Sequence, residues 1–147
     1  MTFCAKRFSE LSNVELYEIL RARCGIFTVE QGIICQDMDR ADYDALHCML
    51  TENSELVAYL RAFRVDDTSV KIGRVLTLEH GKGLGKILMN DSLEAIKSFY
   101  GCDVIKVSAQ TQAEGFYARF GFVTVSDVYM EENVPHVAME KRLGLSD

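Results

Sequence analysis

Apolar residues recur at Leu16, Ile19, Leu20, Cys24 and Phe27, the spacing of one helix face, after a strand-like stretch from Thr2 to Phe8. Ser12-Asn13-Val14-Glu15 reads as a capping box at the start of that helix, with Leu11 and Leu16 as a hydrophobic staple. Gln31 through Ala41 breaks the periodicity, and Asp37, Asp39, Asp42 and Asp44 crowd this part of the chain. His47 to Leu50 and Leu56 to Val65 then read as strands around a polar turn at Glu52-Asn53-Ser54-Glu55. Asp66-Asp67-Thr68-Ser69 is a second turn, and Val70 to Leu78 completes a three-strand meander. After a glycine-rich segment, Leu84, Leu88, Leu93, Ile96 and Tyr100 mark a long helix stopped by Gly101. Asp103 to Ser108 is a short apolar strand, and Ala113 to Phe120 a short helix ended by Gly121. Val123 to Tyr129 and Val134 to Leu143 are two further strands, with Pro135 near the start of the last, where a missing N–H is tolerable. Strands and helices mixed in this order predict an α/β or α+β layered sheet rather than a bundle or sandwich.

The length of 147 residues suits one domain with one core, over residues 1–147. There is one proline and no linker, repeat or low-complexity tract. A net charge of −6 without a Lys/Arg cluster argues against nucleic acid or an anionic membrane as the main partner. No apolar run approaches the roughly 20 residues of a membrane span. The start of the chain lacks the apolar segment of a signal peptide, so a cytoplasmic protein is expected. Cys4, Cys24, Cys35, Cys48 and Cys102 are odd in number and contain no Cys-x-x-Cys pair, so neither a disulfide framework nor a zinc site follows, and no metal is expected.

Gly81-Lys82-Gly83-Leu84-Gly85 lies between a strand and a helix, which is an anion-binding arrangement. Glycines let the backbone approach a ligand, the helix start offers free N–H donors, and Lys82 and Lys86 add positive charge. A phosphate or pyrophosphate is the expected ligand group. A Walker P-loop is excluded because only three residues separate Gly81 from Gly85-Lys86, and Ile87 stands where a magnesium-binding hydroxyl is needed. A dinucleotide fingerprint is excluded by its Gly-x-Gly-x-x-Gly spacing and by the meander that comes first. Spacing alone leaves a purely structural glycine loop open.

His80-Gly81-Lys82-Gly83-Leu84-Gly85 resembles the acyl-CoA loop of GNAT N-acyltransferases, Gln/Arg-x-x-Gly-x-Gly/Ala, with His80 where that family prefers Gln or Arg. Phe116-Tyr117-Ala118-Arg119-Phe120-Gly121-Phe122 is similar to the family's Phe-Tyr-x-x-x-Gly-Phe. A narrower resemblance, to an ElaA-like branch, rests on Arg23, Phe27 to Gln31, Asp39 to Asp42, His47, Gly73-Arg74-Val75, Ala109-Gln110 and Val134 to Met139. The resemblance implies the GNAT acyltransferase fold, a mixed central sheet of about six to seven strands flanked by about four helices. It also implies acetyl-CoA as acyl donor and an amine as acceptor. The donor would lie in a splay between Val75 to Leu78 and Val104 to Ser108. Backbone N–H groups around Leu76, Thr77 and Leu78 would bind the pantetheine arm, and those of Gly83, Leu84, Gly85 and Lys86 the pyrophosphate, near Lys82. Ala109, Gln110 and Phe116 join the cofactor-binding candidates through the motifs that contain them.

Acyl transfer from a thioester to an amine needs a neutral amine, a donor to the developing oxyanion and a proton for the leaving thiolate. On the resemblance, Tyr117 is the candidate general acid, since a phenol is protonated at neutral pH. Glu30 and His136 lead the candidate bases because the branch motifs contain them, followed by Asp39, Asp42 and His47, which with Arg74 are also acceptor-site candidates. Arg74 is costly to bury unpaired and is expected to pair with an acidic residue at 30, 39 or 42. A direct-transfer N-acetyltransferase acting on a small molecule or peptide follows, with a non-catalytic acyl-CoA-binding sensor or interaction module as the alternative. A homodimer is left open.

Overall fold

The computed structural model describes residues 1–144; the span expected for the domain reaches residue 147, so residues 145–147 lie outside the described residues. The strands are β1 (Thr2–Arg7), β2 (Leu46–Glu52), β3 (Glu55–Arg64), β4 (Ser69–Thr77), β5 (Val104–Gln110), β6 (Val123–Thr124), β7 (Tyr129–Glu131) and β8 (Val134–Arg142). The α-helices are α1 (Asn13–Arg23), α2 (Leu84–Tyr100) and α3 (Glu114–Ala118). Among the described residues all eight strands join one sheet in the order β1-β2-β3-β4-β5-β8-β6, with β7 also on β8. Among the described residues only β4 and β5 run parallel; every other pairing is antiparallel.

The strand expected over Val123 to Tyr129 divides into β6 and β7. Val125 still donates to Ala138 O at 2.9 Å, but the returning Ala138 N–H bonds the Ser126 hydroxyl at 2.9 Å. A side chain thus replaces the backbone rung and ends the ladder. The first helix also changes character. Ser12 caps α1 with Glu15 as expected, but from Cys24 to Glu30 the chain widens into a π-helical segment, with Gln31 N bonding Ile26 O at 3.0 Å. The remaining helical turns are short 3-10 segments, which leaves three α-helices around the sheet among the described residues.

The sheet is covered on both faces. On one face, Leu84, Leu88, Met89 and Ile96 of α2 pack against Cys48, Leu50, Ala58, Leu60, Ala62, Val70, Ile72, Ile105 and Val107. On the other, Ile19 and Ala22 of α1 meet Met49, Tyr59 and Leu76, with Ile26 and Phe27 of the π segment alongside. The alternation of these strands, apolar toward α2 and mixed toward α1, is what a two-faced sheet requires. Leu88 is fully buried. Leu88→Ala should lower the free energy of unfolding by about 2–5 kcal/mol, while Ile87→Ala on the outer face should change it by about 0.5 kcal/mol or less. Urea denaturation of both variants checks the contrast.

Candidate active site

The parallel pairing of β4 with β5 lasts four residue pairs, from Ser69↔Val104 to Ile72↔Val107. Beyond it the strands part. Tyr59 faces Leu76 and Arg61 faces Gly73, so Arg74 and Val75 together oppose Leu60, which is a β-bulge in β4. Arg74 sits at φ 52°, left-handed backbone that a side chain other than glycine adopts at a cost. β5 meanwhile stays on β8 as far as Gln110↔His136. The facing edges of β4 and β5 therefore open into a wedge.

Leu78 N–H donates to Val57 O at 2.9 Å, so it is committed to β3. Alternation along a strand turns the amide of Leu76 the same way and presents that of Thr77 to the wedge. Of the three amides expected to bind the pantetheine arm, Thr77 is the one free to do so. Leu76 is also buried as a side chain, in the core beneath α1.

At the mouth of α2, Gly83 is left-handed at φ 70° and no side chain caps the helix. The amides of Leu84, Gly85 and Lys86 meet no protein acceptor among the described residues. A Cβ on Gly85 would lie 3.1 Å from the Phe116 ring, so the glycine lets α3 close against the loop. Lys82 bonds Glu79, which raises its pKa; Lys86 is exposed. A diphosphate fits this row of unpaired donors on physical grounds.

On the α1 side of the wedge lies a cavity of about 640 Å3. Phe27, Gln31, Cys35, Asp37 and Asp39 form one wall; Arg61, Phe63, Lys71, Arg74 and Val75 line its β3–β4 side. Ser108, Gln110, Gln112, Tyr117, Glu131, Glu132 and His136 form the opposite wall. Tyr117 is buried among Phe116 and Phe122, and burial pushes its phenol up, keeping it protonated. His136 Nδ1 donates to Val134 O at 2.7 Å, because a carbonyl can only accept. That leaves the neutral ring's lone pair on Nε2, which is 3.4 Å from Glu131 Oε2. Ser108 Oγ lies 3.3 Å from Glu131 Oε1 and also bonds the Tyr129 hydroxyl. Gln110 bonds Gln31 across the cavity at 3.0 Å and Gln112 beside it.

The wall from 31 to 44 is held by ion pairs. Arg23, fully buried, bonds Asp42 at 2.6 Å and Asp37 at 3.0 Å. Arg61 bonds Asp39 at 2.7 Å and Asp42 at 3.0 Å. Arg74 bonds Asp37 at 2.8 Å and reaches Asp39 at 3.5 Å. The Arg61 hydrogen bond holds Asp39 down at about 2. Burial pushes Asp42 up, but hydrogen bonds from Arg23 and Arg61 outweigh it, and its pKa is lowered.

Three expected site residues move elsewhere. Asp42 is buried inside the ion pairs and does not line the cavity. His47 is fully buried, its Nε2 donating to Asp42 O at 2.9 Å and its Nδ1 accepting from Tyr59 OH at 2.7 Å. Burial lowers its pKa, so it is a neutral core histidine. Glu30 stands exposed outside the cavity, 3.9 Å from His80. Arg74 pairs chiefly with Asp37, which the sequence reading left unassigned. Ala109 is buried against the α2 core and can offer a ligand only backbone. Arg61 and Glu131 were missed too. Arg61 had one visible signal, a lone charge amid the apolar run Leu60-Arg61-Ala62.

The profile of the Acetyltransferase (GNAT) domain matches residues 29–143. Protein ElaA of Escherichia coli (strain K12) is 38% identical over 141 residues, covering 92% of each chain. The crystal structure of Escherichia coli ElaA superposes with a TM-score of 0.90 at 36% identity, over 97% of this chain and all of that one. An acyl-CoA N-acyltransferase from Pseudomonas aeruginosa gives 0.89 at 33% identity, over 96% and 99% of the two chains. An aminoglycoside 6'-N-acetyltransferase complexed with coenzyme A shares the fold at 13% identity, with a TM-score of 0.72 over 95% and 96%.

The lowered carboxylates make a signed prediction. Their contribution to stability is complete above the ordinary aspartate value of 3.8 and is lost as pH falls toward about 2. Asp39→Asn removes one of these titrations. In urea melts between pH 4 and pH 2, the variant should lose less stability than the parent chain; equal losses would remove Asp39 from the acid response.

Proposed function

The chain belongs to the GNAT acetyltransferase family, and on that premise we propose that it moves an acetyl group from acetyl-CoA directly onto a primary amine. The observation that carries this reading is the wedge between β4 and β5. It has free amides at Leu84 to Lys86 at one end and the Tyr117 and His136 cavity at the other. Those amides and Gly83 would hold the pyrophosphate, and Phe116 closes over Gly85. The Thr77 amide would hold the pantetheine arm and polarise the thioester carbonyl.

His136 Nε2 takes the proton from the acceptor's ammonium, and the Glu131 carboxylate beside it stabilises the imidazolium. The neutral amine attacks the thioester carbon and the C–S bond breaks. Tyr117 gives its hydroxyl proton to the departing sulfur. A buried phenol is a poor acid toward water, but the burial that penalises its anion penalises a thiolate in the same site as well. As the tetrahedral intermediate collapses, the nitrogen's second proton passes through solvent to restore Tyr117, and solvent removes the one on His136, so one proton is released per transfer. Asp39 and Arg74 shape the acceptor wall.

Tyr117→Phe should lower kcat by about 10²–10⁴-fold while acetyl-CoA binding is retained. His136→Gln should lower kcat comparably. Thiol release from acetyl-CoA with an amine panel measures the rates, and calorimetry measures the binding. Full activity in Tyr117→Phe would remove the acid assignment. Retained acetyl-CoA binding with no amine-dependent thiol release in the parent chain would favour the non-catalytic alternative.

A further inference from the structure

The acceptor cavity is electrically lopsided once its ion pairs are set aside. Arg23, Arg61 and Arg74 balance Asp37, Asp39 and Asp42, three against three. Of the charged groups lining the cavity, this leaves Lys71 on the β4 side and Glu131 and Glu132 on the other. Lys71 is half-buried and has no acidic partner among the described residues. Its neighbour in register, Lys106, has one in Glu140 at 3.9 Å. A half-buried lysine lining a cavity, without an ion-pair partner of its own, is a candidate receptor for an anion. Opposite it, the Glu131 carboxylate stands beside His136 Nε2, where the acceptor's ammonium must arrive.

From this asymmetry we propose that the acceptor is an amino acid: its amine is drawn to Glu131 and His136, and its own carboxylate is held by Lys71. The inference rests on the acyl-transfer reading and narrows its substrate. An amino acid answers both groups, whereas a simple monoamine leaves Lys71 unanswered. Transfer leaves the carboxylate untouched and yields an N-acetylamino acid, with the proton and thiol accounted for as above.

The test is a panel of L-amino acids, each beside its α-carboxamide and its decarboxylated amine, with acetyl-CoA as donor and thiol release as readout. The expected result is a kcat/KM for the best acid about tenfold or more above its two carboxylate-free counterparts. Lys71→Met should bring that ratio toward one, mainly by raising KM for the acid, and Lys71→Arg should keep most of it. Because the readout is a ratio within one preparation, a variant that folds less well does not imitate the effect. Turnover of the amides and amines equal to that of the acids overturns the proposal and leaves acyl transfer standing, as does a ratio that Lys71→Met does not change. No thiol release with any member of the panel overturns the acyl-transfer reading and the proposal with it.

Discussion

The neutral cluster of three guanidinium groups and three carboxylates is the constraint on which the rest of the site depends. The segment it fastens has little else to hold it, since Ile34, Met38 and Tyr43 are exposed and the chain from Gln31 to Arg40 forms no helix or strand. Arg23 comes from the end of α1, Arg61 from β3 and Arg74 from the bulge of β4, so three separate elements grip one irregular stretch. A buried charge left without its partner costs several kcal/mol, which makes the arrangement close to all-or-none. The same contacts fix Arg74 in its left-handed backbone and so support the bulge that turns β4 away from β5.

Two sites grow from that parting of strands. Toward α2, glycines at 83 and 85 bring free amides to the surface and let Phe116 settle against the loop. Toward α1, the π segment swings Phe27 and Gln31 to the cavity's edge, and Gln110 meets Gln31 across it. The β7–β8 hairpin closes the far wall with Glu131 and the oriented imidazole of His136.

Local rules carried the sequence reading a long way. The capping box at Ser12, the apolar stripe of α2 and the meander followed from periodicity, and the glycine loop from the chemistry of helix starts. What resisted were relations between distant residues. Asp37 was one acid among several on an aperiodic segment, and nothing local says that it, rather than Glu30 or Asp42, meets Arg74. Asp42 and His47 carried chemistry-bearing side chains and were read as acceptor-site candidates, yet one neutralises buried arginines and the other joins a core tyrosine to a loop carbonyl. Glu131 falls between the two strands that periodicity predicts, Val123 to Tyr129 and Val134 to Leu143, where nothing local marks it as a site residue. The break at Ser126 that parts β6 from β7 depends on a hydroxyl replacing a backbone rung, which periodicity does not register.

The brevity of the parallel ladder has a mechanical meaning. β1 to β4 form one antiparallel half-sheet and β5 to β8 another, and the two are stitched along only four residue pairs. The natural crease of the molecule runs through that seam. Any molecule lying in the opening supplies the rungs the strands lack, so it acts as a splint, coupling the stiffness of the whole sheet to occupancy.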